Sequence, residues 1–203
     1  MGLRERNAAQ TRELILDTAL PLFLERGYER TTMEEIAEAA QIGTSTLYRY
    51  FPSKEVLVIE PLAIRGHLAA EFRSRPPEEP LAVALGHALS AFLVAPRADR
   101  ARSLQIRAIV HSSPGPRGRL IEDFFNERTL LEQAVAERLG RPEGDPFCVA
   151  TARVATLVLE MVGQLSESAA DDGATGEQDV LDIARTVMAR LGSEPPVLPT
   201  LGP

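Results

Sequence analysis

With 203 residues, 44% of them hydrophobic, one cysteine and no apolar run of bilayer length, the chain reads as globular, free of disulfides and without a cysteine-based zinc site. The polar start MGLRERNAAQ is not a signal peptide, so a cytoplasmic protein with no membrane partner is expected. A net charge of −7 excludes a broadly basic nucleic-acid binder; residues 1–54 alone hold seven basic and eight acidic side chains, so any contact with DNA must come from a small local patch.

Helix 1 is predicted over about residues 8–26. Ile15, Ala19, Leu22 and Phe23 supply its buried side. Pro21 interrupts its hydrogen bonding, but Glu13, Asp17, Pro21 and Glu25 form an i, i+4 row on the polar face, where water can reach the carbonyl freed at Asp17. Arg4 and Arg6 precede this helix, either as a loose basic arm or as a solvated, frayed terminus. Thr32 and Glu35 then have the spacing of a capping box. Met33, Ile36, Ala37 and Ala40 make the apolar stripe of helix 2. Gln41-Ile42-Gly43 breaks it, with Gly43 expected to take the unusual backbone angles.

Helix 3 is predicted from Thr44 to Tyr50. Leu47 and Phe51 face inward, leaving Thr44, Ser45, Thr46, Tyr48, Arg49 and Tyr50 outside on a surface free of acid. Pro52 ends the helix, Ser53 caps the next, and Lys54 sits in its first turn. A cation there opposes the helix dipole and suits a bound phosphate.

Helix 4 is expected over about 54–73 with a kink at Pro61, as the covalent bridge to the rest of the chain. Residues 75–80, RPPEEP, are a break. Helix 5 follows at about 81–94, helix 6 at about 99–112, a turn at 113–116, and helix 7 at about 117–139, ending at Gly140. Helix 8 spans about 146–169, residues 171–176 form a loop, and helix 9 spans about 178–191. No segment reads as a strand, so the fold class is all-α with about nine helices. His67, His87 and His111 match no metal spacing, and no phosphate loop or nucleophile elbow is present, so no enzyme, cofactor or metal is expected.

The segment from about Thr11 to Leu57 resembles the DNA-binding domain of the TetR family of bacterial transcriptional regulators. The matching pieces are Phe23-Leu24-Glu25-Arg26-Gly27-Tyr28, Thr31-Thr32, Ile36-Ala37 and Thr46-Leu47-Tyr48-Arg49-Tyr50-Phe51-Pro52-Ser53-Lys54-Glu55. The resemblance implies a helix-turn-helix domain at 1–54 and a ligand-binding and dimerisation domain at 55–192; the proline-rich composition of 193–203 reads as a disordered tail. It also implies a homodimer on a double-stranded DNA operator and release by a small molecule. Positions matching Thr44, Ser45, Thr46 and Arg49 face base edges in the family; those matching Tyr48, Tyr50 and Lys54 hold phosphates, and Thr32 joins the DNA-facing set. Arg49 suits guanine O6 and N7. The chain departs from the family pattern at Gly43, at Ser45, and at Glu34, where an acid stands in place of a base-reading cation.

Helix 8 is apolar on most sides, which one protomer can hardly cover. Val149, Ala152, Thr156 and Leu159, with Val180, Ala184, Val187, Met188 and Leu191 of helix 9, are therefore expected at the dimer interface. The C-terminal half resembles the subgroup that accepts small hydrophobic or acyl-CoA-like effectors. Phe92, Ile109, Phe124, Phe125 and Met161 are candidate pocket walls, and His87, Gln105, His111 and Asn126 candidate anchors. A ligand-responsive repressor is the functional expectation. The alternatives are an activator, or an acyl-CoA-like binding protein with little DNA role.

Overall fold

The computed structural model describes residues 2–94, 100–171 and 177–194. Among these residues the protein is helical throughout: α1 (Leu3–Arg26), α2 (Met33–Ala39), α3 (Thr44–Tyr50), α4 (Lys54–Ile59), a 3-10 turn (Glu60–Leu62), α5 (His67–Arg73), α6 (Leu81–Val94), α7 (Arg100–Ser112), α8 (Pro114–Leu139), α9 (Pro146–Asp171) and α10 (Glu177–Ser193). The all-α expectation holds. The predicted start at Asp99, residues 172–176 of the predicted loop and residues 195–203 of the predicted tail lie outside the described residues; Ser193 closes α10.

Two compact units emerge. The first comprises Met1–Ile64 and Pro96–Phe125, the second Arg65–Ala95 and Asn126–Pro203. This partition by packing differs from a division at residue 54, because α4 and α7 join the core of the N-terminal helices. It also removes the reading of helix 4 as the sole covalent bridge: the chain passes between the units three times, after residues 64, 95 and 125.

The core of the first unit gathers Ile15, Ala19, Leu20 and Phe23 of α1, Ile36 of α2, Leu47 of α3, Phe51, and Leu57 and Val58 of α4, with Ile106 and Ile109 of α7. Leu47 and Phe51 are fully buried, and each contributes roughly 2–3 kcal/mol of transfer free energy. They fix one face of α3 to the core and so leave the opposite face to solvent.

Helix α1 starts five residues earlier than predicted. Glu5 accepts the Gly2 N–H at 2.7 Å and caps the first turn, so Arg4 and Arg6 stand on a helix rather than in a loose arm. The acid row of α1 is not merely solvated either. Arg102 of α7 donates to Glu13 Oε2 and Asp17 Oδ1, both at 2.6 Å, tying the row to α7. Helix α8 begins at Pro114 rather than 117, since prolines in a first turn lose no intrahelical bond.

The predicted continuous helix 4 is broken. Pro61 has no N–H for the Leu57 carbonyl, Ala63 turns left-handed (φ 48), and Gly66 does the same (φ 79) before α5 starts. The new helix start is capped by a remote side chain of the same unit. Glu127, fully buried, accepts the Ala69 N–H at 2.7 Å and the N–H of Gly66. Burial pushes its carboxyl above the ordinary value, although the amides of Ala69, Gly66, Leu68 and His67 favour its charge.

In the second unit Val158, Val162, Ala184 and Val187 interlock, with Val180, Met161 and Leu191 packed against them. The residues expected at the dimer interface are therefore largely interior to the protomer: Ala152, Thr156, Leu159, Ala184 and Val187 are buried, while Val149, Val180 and Leu191 are half-buried. Among the described residues, the large apolar side chains that α9 and α10 leave exposed are Phe147, Val154, Leu157, Leu165 and Met188. The sequence expectation of no membrane-length apolar segment is also corrected. Pro146–Ser166 passes by length and composition, yet it packs with α6 and α10 in the second unit.

Candidate DNA-binding site

The turn before α3 is built by two bonds. The Ile42 N–H donates to the Ala37 carbonyl and the Gln41 N–H to the Glu38 carbonyl, both at 3.0 Å. This is the Schellman ending of a helix, with Ile42 supplying the apolar contact after it. The left-handed residue is Gln41 (φ 55), not Gly43; Gly43 is extended (φ −69, ψ 142) and serves as the N-cap of α3. Ahead of it, the predicted capping box of α2 is formed. Thr32 Oγ1 accepts the Glu35 N–H at 3.2 Å, and Glu35 accepts the Thr32 N–H at 2.8 Å.

Helix α3 presents Ser45, Tyr48 and Arg49 as exposed side chains, and Thr44, Thr46 and Tyr50 as half-buried ones. The Arg49 guanidinium lies 5.4 Å from the Tyr50 ring centroid, a stacking that restrains the side chain and leaves its five N–H donors free for an acceptor. The Tyr48 hydroxyl donates to Glu34 Oε1 at 3.4 Å. Glu34 thus steadies a recognition-helix tyrosine, a use of that acid that its place in the sequence did not reveal. Thr32 is exposed, but its hydroxyl is engaged in the cap.

Lys54 is placed differently from the other predicted contacts. Its ammonium donates to the Tyr28 carbonyl at 2.9 Å and the Thr31 carbonyl at 3.0 Å, and it lies 4.4 Å from the Tyr28 ring centroid. The neighbouring Glu55 accepts the Tyr28 hydroxyl at 2.7 Å. Burial and this acid push the Tyr28 hydroxyl pKa well up, so it stays protonated as the donor. Two adjacent residues at the start of α4 therefore clasp the loop between α1 and α2. Gly115 of α8 leaves room for the clasp: a Cβ there would sit 3.2 Å from Glu55 Oε1. Arg12 adds a further tie, its guanidinium 4.8 Å from the Phe51 ring centroid and paired with Glu60. Neither the clasp nor the Arg12 stack leaves a local spacing signal, because their partners are 23 to 39 residues away in sequence.

The predicted pocket residues do not converge so simply. Gln105, Ile109, His111, Phe124 and Phe125 belong to the first unit; His87, Phe92, Asn126 and Met161 belong to the second. Ile109 is part of the core under the DNA-binding helices. His87 is exposed, its Nδ1 2.7 Å from Glu79 Oε1, and an Arg75 hydrogen bond holds that carboxyl at a pKa of about 2. Among the described residues, no group of three or more His, Cys, Asp or Glu side chains is placed to hold a metal ion.

A short, acid-free helix with a fixed apolar back, entered through a tight turn from a second helix, has the geometry of a helix-turn-helix motif. Residues 15–60 match the sequence profile of the bacterial regulatory proteins of the tetR family, and that segment belongs to the family. It is similar to the HTH-type transcriptional regulator TcmR of Streptomyces glaucescens, with 33% identity over 150 residues, covering 70% of this chain and 65% of TcmR. It is also similar to the HTH-type transcriptional repressor KstR of Rhodococcus jostii, with 46% identity over 54 residues, covering 27% of this chain and 26% of KstR. These matches thus span less than two thirds of either relative. The fold is similar to that of NalD of Pseudomonas aeruginosa, the secondary repressor of the MexAB-OprM multidrug efflux pump. The TM-score is 0.56 at 18% identity, covering 91% of this chain and 96% of that one.

Proposed function

We propose that the protein is a ligand-responsive transcriptional regulator acting as a repressor: a homodimer binds a palindromic DNA operator through two copies of α3, and a small molecule releases it. One observation carries the reading. Leu47 and Phe51 bury one side of α3 completely, while Ser45, Tyr48 and Arg49 are exposed on it, with Thr44 and Thr46 half-buried beside them. Arg49 takes guanine O6 and N7, and the threonine methyls meet a thymine methyl. Tyr48 and Tyr50 hold phosphates, while Lys54 and Thr32 act mainly by fixing the loop and the helix start that position α3. Because the whole chain is acidic, affinity rests on few phosphate contacts doubled by dimerisation. Such a protein works where the chromosome is, in the bacterial cytoplasm.

For the dimer, the stripe Val154, Leu157 and Leu165 on α9, with Met188 on α10, offers apolar surface that the protomer does not cover itself. For the effector, the reading is a small hydrophobic or acyl-CoA-like molecule that shifts the population away from the operator-binding conformation. Enzyme chemistry has no support in the relatives, whose names are those of regulators.

The experiment has two stages. Selection from a random duplex pool is expected to enrich a palindrome with half-sites about 34–36 Å apart, one helical turn. Acyl-CoAs of graded chain length are then expected to release the bound duplex. Enrichment of no sequence contradicts the regulator reading, and persistence of the complex with every chain length contradicts the effector class.

A further inference from the structure

The turn between α2 and α3 assigns its residues against local preference. The left-handed place after a helix favours glycine, because a Cβ there crowds the backbone. Here Gln41 occupies it at φ 55, while Gly43, two residues on, takes an extended conformation open to any residue. A glycine at 43 therefore gives this turn nothing that a glycine at 41 would not give better. The Gln41 side chain is exposed, and its amide makes no hydrogen bond among the described residues. Ala63, the other non-glycine with positive φ among the described residues, is half-buried and carries no polar group, so it has nothing to offer a partner.

Strain held at one position beside a binding surface is commonly the cost of a functional side chain. Gln41 precedes α3 by three residues, and it is the N-terminal end of a recognition helix that meets the base edges. The geometry points to Gln41 as a further DNA-contacting residue, its amide pairing with an adenine N6/N7 edge or an adjacent phosphate oxygen of the operator. This rests on the DNA-binding reading above. The chemistry fits: a carboxamide has one acceptor and two donors, the set that adenine presents a match for in the major groove.

The test compares wild type, Gln41→Gly and Gln41→Asn in the full chain, using the duplex that wild type selects from a random pool. Gln41→Gly should raise the melting temperature of the free protein by about 2–4 °C while weakening binding about tenfold or more. A purely structural residue would not move these two readouts in opposite directions. Gln41→Asn tolerates the same backbone but is one methylene shorter, so it should also lose affinity, which separates loss of the contact from loosening of the turn. Relaxed preference at one A·T pair per half-site supports the base contact. Uniform weakening with a shallower salt slope supports the phosphate contact. Unchanged or tighter binding by Gln41→Gly, or a lower melting temperature, overturns the inference while leaving the DNA reading intact. If wild type itself enriches no duplex, both fall together.

Discussion

Lys54→Ala is expected to lower the stability of the free protein by about 2–4 kcal/mol, beyond any effect on DNA. The ammonium bridges the Tyr28 and Thr31 carbonyls from within a half-buried site and lies against the Tyr28 ring. Hydrogen bonds from a charged donor contribute about 1.5–3 kcal/mol each, and a shielded cation–π contact adds about 1. Part of this is offset by the desolvation and side-chain entropy that the substitution releases. Thr31 is fully buried, so its carbonyl has little access to replacement water. Lys54→Met keeps the aliphatic stem and should recover less than half of the loss. Urea unfolding of the three proteins checks this. A change below about 0.5 kcal/mol, the level of an ordinary surface substitution, would mean that the clasp contributes nothing and that Lys54 is free for phosphate.

Glu127→Ala is expected to cost about 2–4 kcal/mol, because it strips the acceptor from the first turn of α5. The amides of Gly66 and Ala69 lose their bonds, and each buried unsatisfied donor costs about 1–3 kcal/mol. Gln is a poor substitute, since its NH2 would face an N–H donor. The pH dependence has a definite sign. Burial raises the Glu127 carboxyl above its unfolded value, so the native state binds the extra proton. This group's contribution is fully present below the ordinary Glu range, is lost as pH rises through the raised native value, and is constant beyond it. Glu127→Gln should remove that slope from a pH series of urea midpoints. Faster hydrogen exchange at Gly66 and Ala69 should accompany either variant; unchanged exchange would contradict the cap.

The helix-turn-helix was legible because its signals are local. Thr32 with Glu35, the stripe Met33, Ile36 and Ala37, and the stop at Pro52 each act within one or two turns, and all three helix ends fell within a residue of expectation. What the sequence hid depends on distant partners. The break after α4 could be suspected from Pro61, but its completion needs Glu127, and Glu127 is 61 residues from Gly66. Arg102 finds Glu13 and Asp17 across more than 80 residues. By its place at a helix start Lys54 suits an anion; its carbonyl partners Tyr28 and Thr31 lie 26 and 23 residues away and meet it only through the fold. The apolar character of helix 8 is plain in its composition, but composition does not say which of its faces the protomer covers. Val158 and Val162 turned inward, while Val154 and Leu157 stayed out.

The central claim is that α3 reads base edges through Arg49. The most direct measurement is the ratio of affinities for the selected operator and a scrambled duplex at one fixed salt concentration, for wild type and Arg49→Ala. Arg49 is exposed, with its guanidinium against the Tyr50 ring, so the substitution should leave the melting temperature in place. The account predicts that discrimination falls by about 1–3 kcal/mol per bidentate base contact, with the loss confined to a G·C pair at matched places in the two half-sites. Discrimination equal to that of wild type would contradict it.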